Sequence, residues 1–213
     1  MFELHDKVAL ITGAAGGLGD KIARTLHKQG ATLALTDMRA EPMEKLKAEL
    51  GDRVEVFTAN LTNPEDVKNL VAQVEEKLGR IDILVNNAGI QHVARVENFP
   101  PERWDAIIAI NLSSAFHTSA VALPMMRKAG WGRIINISSV AGIKVFSPGG
   151  TVYSGTKFAV RAISEGLRHE VGGSIRTTTI EPGAVDSELK FGSSHQQSRD
   201  FVVDFYKQAI PAE

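Results

Sequence analysis

The chain has 213 residues, of which 43% are hydrophobic and 23% charged, and this size and composition are those of one soluble globular domain with a sizeable core. Its formal net charge of −1 offers no basic surface for nucleic acid or for an anionic membrane. With no cysteine, no room for a signal peptide before the first strand and no apolar run near the ~20 residues of a membrane span, we expect a cytoplasmic protein without disulfides or thiol catalysis.

A short apolar strand, a glycine-rich turn and a helix open the chain. Residues Val8–Ile11 are four consecutive apolar residues, too few for a helix but enough for a buried strand. The helix that follows has apolar residues every four positions, at Leu18, Ile22 and Leu26. Such a turn lets a helix N-terminus present free N–H groups to a pyrophosphate, although a glycine-rich turn by itself is also common on protein surfaces. The pattern predicts cofactor contacts at Gly13, Gly17, Leu18 and Gly19.

An aspartate ends the second predicted strand, residues 31–36. Asp37 lies 20 positions after Gly17, where the dinucleotide fold places an acidic residue that hydrogen-bonds the adenosine ribose. A carboxylate at this place repels the extra phosphate of NADP, so we expect NAD as the cofactor. NADP is less favoured but stays open because Arg39 is close by. The alternative is that Asp37 only caps a turn.

Two further strand–helix units set the fold class. A helix over residues 43–50 leads to a third strand, 54–57, after which Asn60 and Leu61 are well placed to touch an adenine ring. Asn63 and Pro64 then start a helix that runs to Leu78. Strands and helices that alternate in this way imply right-handed crossovers, and we expect a Rossmann-like α/β fold. Its doubly wound parallel sheet would have about six strands, with helices on both faces.

The segment Asn86-Asn87-Ala88-Gly89 follows the fourth predicted strand, Ile81–Val85. Together with Thr12-Gly13, Gly17 and Gly19, this segment resembles the short-chain dehydrogenase/reductase family. The resemblance implies that the segment steadies the central strand and that Asn87, Ala88 and Gly89 lie against the cofactor. The simpler alternative is that the two asparagines merely build a turn.

A tyrosine and a lysine four positions apart follow a strand that ends in serines. The strand is 133–137, Ser138 and Ser139 come directly after it, and Tyr153 and Lys157 lie in a predicted helix over 151–171. Positions i and i+4 share one helix face, so the lysine ammonium can lie beneath the tyrosine ring. A phenol that acts as a base near neutrality needs its pKa lowered by roughly 3 units, about 4 kcal/mol, which a neighbouring ammonium favours.

The resemblance implies a full catalytic set. Ser139 would hold the substrate oxygen, and Tyr153 would exchange the proton. Lys157 would bind the nicotinamide ribose, and Tyr153 would also contact the cofactor. Asn111, in a kinked helical stretch over 101–129, would anchor a water of the proton relay. The stretch from Ser139 to Tyr153 is one residue longer than the family's usual spacing, so either a bulge near residues 145–147 absorbs it or Ser138 takes the catalytic role.

The segment after the sixth predicted strand, 175–180, resembles the family's nicotinamide site. The resemblance implies cofactor contacts at Pro182, Gly183, Val185 and Ser187, where a serine stands in place of the commoner threonine. The apolar residues of the tail beyond it form either a mobile lid over the substrate or a docking helix. These residues are Leu189, Phe191, Phe201, Val202, Phe205 and Tyr206.

Different stretches of the chain resemble different types within the family. The first ninety residues are similar to 3-oxoacyl-carrier-protein reductases. Residues 86–137, with Gln91-His92, look like D-3-hydroxybutyrate dehydrogenase. That type holds its acid substrate with a histidine and a lysine, and Ala141 and Gly150 stand at those positions here, which argues against hydroxybutyrate. The part after Gly142 resembles reductases of hydroxy amino acids or small ketones.

The resemblance covers nearly the whole chain and implies an enzyme. We expect residues 1–213 to form a single dinucleotide-binding catalytic domain without the family's last helix and strand. The expected reaction is hydride transfer between NAD(H) and a secondary alcohol or ketone. The alternative is a catalytically silent dinucleotide-binding or scaffold protein. No metal is expected, because the spacing of five histidines is not that of metal ligands. They are His5, His27, His117, His169 and His195.

The resemblance also implies an oligomer. Relatives pair the helices at 111–129 and 151–171 with their copies in a partner subunit, so we expect a homodimer or, less readily, a homotetramer. The strand at 175–180 would be an open edge that favours aggregation, and the segment after Ser187 would be poorly ordered. The apolar residues expected to form the interface are Phe116, Val121, Leu123, Phe158, Val160 and Ile163.

Overall fold

A parallel sheet runs through the middle of the molecule. The computed structural model describes residues 3–145, 148–185, 200, 203–204, 207 and 209–210. The strands within this part of the chain are β1 (Val8–Thr12), β2 (Thr32–Asp37), β3 (Val54–Thr58), β4 (Ile83–Asn86), β5 (Gly132–Ile137) and β6 (Ile175–Ile180). They lie in the order β3-β2-β1-β4-β5-β6, and each neighbouring pair is parallel. The doubly wound α/β fold predicted from the sequence is confirmed.

Helices pack on both faces of the sheet. They are α1 (Gly17–Lys28), α2 (Ala40–Leu50), α3 (Pro64–Leu78), α4 (Pro101–Ile108), α5 (Ser114–Ala129) and α6 (Thr151–Val171). Along β1, Ala9 and Ile11 pack with α1 and α2 on one face, and Leu10 packs with α3 and α5 on the other. Because β1 is buried on both faces, all five of its residues lie in the core, which explains its unbroken apolar sequence.

Two elements begin more than one residue away from the predicted start. The fourth strand begins at Ile83 instead of Ile81, and the residue before it serves a buried contact. The carboxylate of Asp82 accepts the N–H of Val8 at 2.9 Å and pairs with the guanidinium of Arg80 at 2.6 Å. Helix α2 begins at residue 40, three positions earlier than predicted. Pro42 fits in its first turn because the N–H groups of that turn have no helical acceptor, so the N–H that proline lacks costs no hydrogen bond.

A π-helical turn, Ala109–Ser113, joins α4 and α5 into one helical stretch. By length and composition alone, the stretch Pro101–Ala129 could cross a membrane. The sequence does not predict this, since none of its uninterrupted apolar runs approaches the ~20 residues of a membrane span. Core helices of soluble proteins meet the same criterion, and this stretch carries Asn111 and Thr118 into buried hydrogen bonds with other elements.

The carboxyl ends of the strands meet at one edge of the sheet, where a crevice opens. The neighbouring strands β1 and β4 lead to helices on opposite faces, α1 on one and α4–α5 on the other. The chain therefore diverges above these two strands, which is the place where doubly wound sheets bind ligands. At the lateral edge, β6 pairs with β5 alone among the described residues, and an isolated parallel bridge joins Val185 and Ile210 beyond it.

Candidate functional site

A cavity of about 720 Å³ follows the carboxyl edge of the sheet from the end of β3 to the ends of β5 and β6. Most of the site residues predicted from the sequence line it. Asn111 lies behind the cavity wall, and Ser187 lies outside the described residues. The other predicted residues all line it, and they are Gly13, Gly17, Leu18, Gly19, Asp37, Asn60, Leu61, Asn87, Ala88, Gly89, Ser139, Tyr153, Lys157, Pro182, Gly183 and Val185.

The glycine turn is packed so tightly that a side chain has no room at two positions. A Cβ on Gly19 would come 2.2 Å from the carbonyl oxygen of Gly13, and a Cβ on Gly13 would come 2.8 Å from the Cα of Ala88. Gly13 also has a φ of +66°, a left-handed conformation that favours glycine. The cap residue of α1, Gly16, has no side chain, so the N–H groups of the first helical turn stay open toward the cavity. The turn has the form of an anion cradle.

The segment after β4 braces the glycine turn from the other side. The side-chain amide of Asn87 donates to the carbonyl oxygens of Thr12 at 3.0 Å and Gly13 at 3.2 Å. The hydroxyl of Thr12 accepts the backbone N–H groups of Asn87 and Ala88, each at 3.0 Å, and donates to the carbonyl of Val85. The two sequence motifs therefore form one hydrogen-bonded unit. The role of Thr12 in holding these two segments together could not be predicted from the sequence, because its hydrogen-bond partners are more than seventy positions away.

Asp37 lies on the cavity wall and also makes hydrogen bonds to the neighbouring backbone. It ends β2 and lines the cavity, and its carboxylate also accepts two backbone N–H groups, from Ala15 at 3.3 Å and from Arg39 at 3.1 Å. The Arg39 guanidinium folds back over this carboxylate, with Nε 3.6 Å from Oδ1, and donates to the carbonyl of Ala15 at 3.3 Å. A carboxylate with an arginine beside it thus forms the wall next to the glycine turn.

The end of the cavity near β3 combines predicted and unpredicted residues. Asn60 and Leu61 line it as expected, and the Asn60 side chain accepts the hydroxyl of Thr62 at 2.8 Å. Arg103 of α4 and Ile110 of the π turn that follows it also line the cavity, and neither was predicted to. Their seven-residue separation places both on one helix face, but only the packing of that helix over the crevice turns this face toward the cavity.

Tyr153 and Lys157 lie together at the other end of the cavity. They project from α6, with the Lys157 Nζ 5.7 Å from the centroid of the Tyr153 ring. Nζ donates a hydrogen bond to the carbonyl of Ile137 at 3.0 Å, and only 5% of the lysine is exposed. Burial lowers the pKa of Lys157 to about 8, because a charged ammonium is poorly solvated there.

The two serines after β5 have different surroundings. Ser138 is buried, and its hydroxyl donates to the main-chain carbonyl of Lys157 at 2.9 Å. Ser139 is partly exposed on the cavity wall, and its Oγ accepts the N–H of Ala141 at 3.1 Å. Of the two residues between which the sequence left the choice, Ser139 is the one whose hydroxyl is not bonded to the helix. Part of the predicted bulge, residues 146–147, lies outside the described residues.

Asn111 lies in the π-helical turn directly behind the cavity wall. Its side chain accepts the N–H of Ile90 at 2.7 Å and donates to the carbonyl of Ile90 at 2.9 Å and to the hydroxyl of Thr156 at 3.2 Å. A Cβ on Gly89 would be 3.5 Å from the Asn111 Oδ1 and 3.6 Å from the Lys157 Nζ. Asn111 thus links the segment after β4 to α6 close to the lysine, and the kink expected of this helix is a π turn.

His92, named above only in the Gln91-His92 pair, lines the cavity, although no site role was predicted for it. It is 2% exposed, and its ring meets Phe99 edge-on with the centroids 5.0 Å apart. Nothing in its local sequence spacing distinguishes it from a core histidine. In the described part of the chain, no group of three or more His, Cys, Asp or Glu residues could hold a metal ion. The tail residues predicted as a lid or docking helix all fall outside the described residues; they are Leu189, Phe191, Phe201, Val202, Phe205 and Tyr206.

Residues 7–198 match the family model described as short chain dehydrogenase. Among characterised and uncharacterised relatives, an uncharacterized oxidoreductase of Staphylococcus saprophyticus is 41% identical over 99% of this chain and 87% of its own length. A D-beta-hydroxybutyrate dehydrogenase of Cupriavidus necator is 45% identical over 84% of this chain and 66% of its own.

Among solved structures, a 3-ketoacyl-(acyl-carrier-protein) reductase of Brucella melitensis, complexed with NADH, superposes with a TM-score of 0.88 at 29% identity. The superposition covers 99% of this chain and 87% of that one. The resemblance seen in the glycine turn and the Asn86–Gly89 segment is therefore confirmed at the level of the family. Two of the three types suggested by different stretches of the sequence are represented by the D-beta-hydroxybutyrate dehydrogenase and the 3-ketoacyl-(acyl-carrier-protein) reductase.

Proposed function

The chain belongs to the short chain dehydrogenase family of NAD(P)-dependent oxidoreductases, and from this premise we propose that it transfers a hydride between NAD(H) and a secondary alcohol or ketone. The observation that carries the proposal is the buried ammonium of Lys157 beside the ring of Tyr153, at one end of a cavity whose far end follows β3. Residues 1–213 act, in this proposal, as one dinucleotide-binding catalytic domain.

The cavity fits a dinucleotide along its length. The uncapped start of α1 would hold the pyrophosphate, and Gly13 and Gly19 leave the space that a Cβ would fill. Asp37 would bind the adenosine ribose, and Asn60 and Leu61 would flank the adenine. Asn87, Ala88 and Gly89 would lie against the middle of the cofactor. Lys157 and Tyr153 would bind the nicotinamide ribose, and the wall from Pro182 through Gly183 to Val185 would meet the carboxamide. Ser187 is proposed for the carboxamide as well.

When bound, the nicotinamide would supply the hydride acceptor or donor. The chain's own residues would move the proton. Tyr153 would accept the alcohol proton as general base, and the nearby positive charge of Lys157 would favour the phenolate that this role requires. Lowering a phenol pKa from near 10 to neutrality takes about 4 kcal/mol, which one cation in a poorly solvated site can supply in large part.

Ser139 and Asn111 would complete the site. Ser139 lines the cavity, and its hydroxyl would hold the substrate oxygen within reach of the tyrosine. Asn111 bonds both to the segment after β4 and to α6 near Lys157, and it would anchor the water through which the proton reaches solvent. We propose the Ser-Tyr-Lys-Asn site on the strength of these placements.

The substrate we propose is an uncharged alcohol or ketone. Ala141 and Gly150 line the cavity beside Ser139 and Tyr153, at the positions where a histidine and a lysine would hold a carboxylate. An uncharged pair there offers an acid group no ionic partner from these two positions. The cytoplasmic location expected from the composition stays a prediction.

The test is turnover of a substrate panel by the wild-type protein and by Tyr153→Phe. The panel contains sugar alcohols, steroids and 3-hydroxy acids, each with NAD and with NADP. Tyr153→Phe should lose at least about 99% of turnover while NADH binds almost as tightly, since only the proton-transferring hydroxyl is removed. Thr25→Val provides the control, because it removes an exposed hydroxyl of α1 at a residue that does not line the cavity. Substantial turnover by Tyr153→Phe would disprove the assignment of the base.

A further inference from the structure

Ser138 ties the end of β5 to the helix that carries Tyr153 and Lys157. Its side chain is buried, with 3% of the residue exposed, and its Oγ donates a hydrogen bond to the main-chain carbonyl of Lys157 at 2.9 Å. Its backbone N–H donates to the carbonyl of Ile180 at 2.8 Å and so continues the ladder between β5 and β6. The serine is anchored in the sheet while its hydroxyl holds α6.

Both the side chain and the main chain of Lys157 are hydrogen-bonded to consecutive residues at the end of β5. Its Nζ donates to the carbonyl of Ile137 at 3.0 Å, and its carbonyl accepts from the next residue, Ser138. In a helix that carbonyl also accepts the N–H four positions on, from Arg161. The serine bond is therefore a second bond to an acceptor that is already paired. Removal of the hydroxyl leaves no buried donor or acceptor unsatisfied, so the helix itself does not depend on it.

The 3₁₀ turn Val140–Gly142 closes over this contact. A Cβ on Gly142 would come 2.6 Å from the Ser138 Oγ and 2.8 Å from the carbonyl oxygen of Lys157. The approach is so close that no water fits between turn, serine and helix. The separation between the strand end and α6 is thus set by direct contact at Lys157.

We infer that Ser138 is a positioning residue, which holds the main chain of Lys157 so that the ammonium stays beside Tyr153. The inference rests on the proposed function, in which this ammonium favours the phenolate of Tyr153. It assigns the two serines after β5 to different tasks, Ser138 to the helix and Ser139 to the substrate. Burial alone lowers the pKa of Lys157, with no carboxylate or guanidinium of the described residues contributing, and Tyr153 is the titratable group that faces it.

A matched control exists on the same helix. The hydroxyl of Thr177 in β6 donates to the carbonyl of Ser164 on α6 at 3.1 Å, which is the same kind of strand-to-helix bond two turns beyond Lys157. Ser138→Ala and Thr177→Val each remove one such bond, and each should lower Tm by a similar ~2–4 °C. A purely structural role for Ser138 predicts no further difference between the two variants.

The first measurement needs no substrate. In protein labelled with ¹³C-lysine, the Cε resonance absent from Lys157→Met identifies Lys157, and its titration midpoint is followed in each variant. We expect Ser138→Ala to raise the midpoint by at least about half a unit, because a loosened helix lets the ammonium reach water. Thr177→Val should leave it unchanged. An unchanged midpoint in Ser138→Ala, with Tm lowered as in Thr177→Val, overturns the inference.

The second measurement uses turnover. Ser138→Ala should lower kcat about tenfold or more, raise the apparent pKa on the acid limb of alcohol oxidation and leave KM nearly unchanged. Ser138→Cys keeps a side chain of similar form with a weak donor, so its kcat and apparent pKa should lie between those of Ser138→Ala and the wild type. If Ser138→Ala does not fold, Ser138→Cys is compared with Thr177→Val in its place. A thousandfold loss in Ser138→Ala with an unchanged lysine midpoint would make Ser138 the catalytic serine and overturn the inference. No turnover by the wild type would instead count against the proposed function, and the lysine midpoints would still decide the role of Ser138.

Discussion

At the scale of single residues, the charge of Lys157 couples folding to pH. Its pKa of about 8 in the folded chain lies below the ordinary 10.5 of an unfolded lysine. Between these values the unfolded chain binds more protons than the folded one, so stability rises with pH across this window. Below pH 8 both states carry the proton, and the folded state bears the full cost of burying the ammonium.

This coupling predicts a pH-dependent difference between the wild type and Lys157→Met. The unfolding free energy of the wild type relative to the variant should increase from pH 8 to pH 10.5, by at most about 1.4 kcal/mol per pH unit. Urea denaturation of both proteins at pH 7, 8, 9 and 10 measures the difference. Both proteins also carry Tyr153→Phe, so that the phenol beside Lys157 does not titrate differently in the two. A difference that stays constant over this range would contradict the prediction.

Asp37 and Arg39 predict the choice between the two dinucleotides. The wild type should bind NADH more tightly than NADPH, since the carboxylate repels the extra phosphate and holds the Arg39 guanidinium at 3.6 Å. Asp37→Ser should improve binding of NADPH relative to NADH by about tenfold or more, about 1.4 kcal/mol, because the repulsion is gone and the arginine is released. Fluorescence titration with both reduced cofactors measures it. Adding Arg39→Ala should remove most of the gain, and equal affinities in the wild type would refute the role of Asp37.

Individual site residues could be predicted where their signal is local. The glycines, Asp37 and the Tyr153–Lys157 pair can be recognised from their spacing within one strand, turn or helix. His92 and Arg103 reach the cavity only because distant elements pack around it, and no pattern of neighbouring residues encodes that. The choice between Ser138 and Ser139 likewise depends on what the helix offers as an acceptor, which becomes visible only in three dimensions.

At the scale of elements, the glycine turn and α1 form a unit in which a side chain has no room at Gly13 or at Gly19. Gly19→Ala puts a Cβ 2.2 Å from a carbonyl oxygen of the backbone, so the turn must shift. We expect a loss of about 1–3 kcal/mol in unfolding free energy and a loss of NADH binding. Gly16→Ala is the matched control for stability, because its nearest atom would be 3.5 Å away and its φ is −89°. Denaturation curves of the two variants check the difference, and equal curves would contradict it.

Element types were predictable from periodicity, whereas their exact ends and joints were not. The strands of the sheet were found because buried parallel strands are short apolar runs. The joint between α4 and α5 is a π turn because the side chain of Asn111 bonds both to Ile90 and to Thr156. These partners lie 21 and 45 positions away, so the turn cannot be deduced from the helix sequence itself.

At the scale of the whole molecule, α5 and α6 leave two aromatic side chains exposed. Phe116 is 53% exposed and Phe158 is 40% exposed. Three of the residues expected at the interface are more buried within the chain than the sequence suggests. Val160 is buried within the chain, and Val121 and Leu123 pack against its core, so these three have little surface to offer a partner. The two phenylalanines carry the prediction of a homodimer.

We expect a homodimer at micromolar concentration and a shift toward monomer in the double variant Phe116→Asp/Phe158→Asp. Two carboxylates placed in an apolar interface lose solvation without gaining a partner. Val96→Asp is the control, because Val96 is 65% exposed on the 3₁₀ turn Val96–Asn98, away from these helices in sequence. Light scattering measures the mass. A wild-type monomer would remove the helix-face interface, and a stable tetramer would show that a second interface exists.

The position of β1 between β2 and β4 matters while the chain is still being synthesised. The first 58 residues contain β1, β2 and β3, but the other partner of β1, the run Ile83–Val85, is made later. Until then the most apolar strand of the sheet has an unpaired edge, which can act as a template for another nascent chain. A ribosome that pauses between Thr58 and Ile83 prolongs this stage. The rate of translation over some twenty-five codons is therefore expected to influence how much of the newly made protein reaches its folded form.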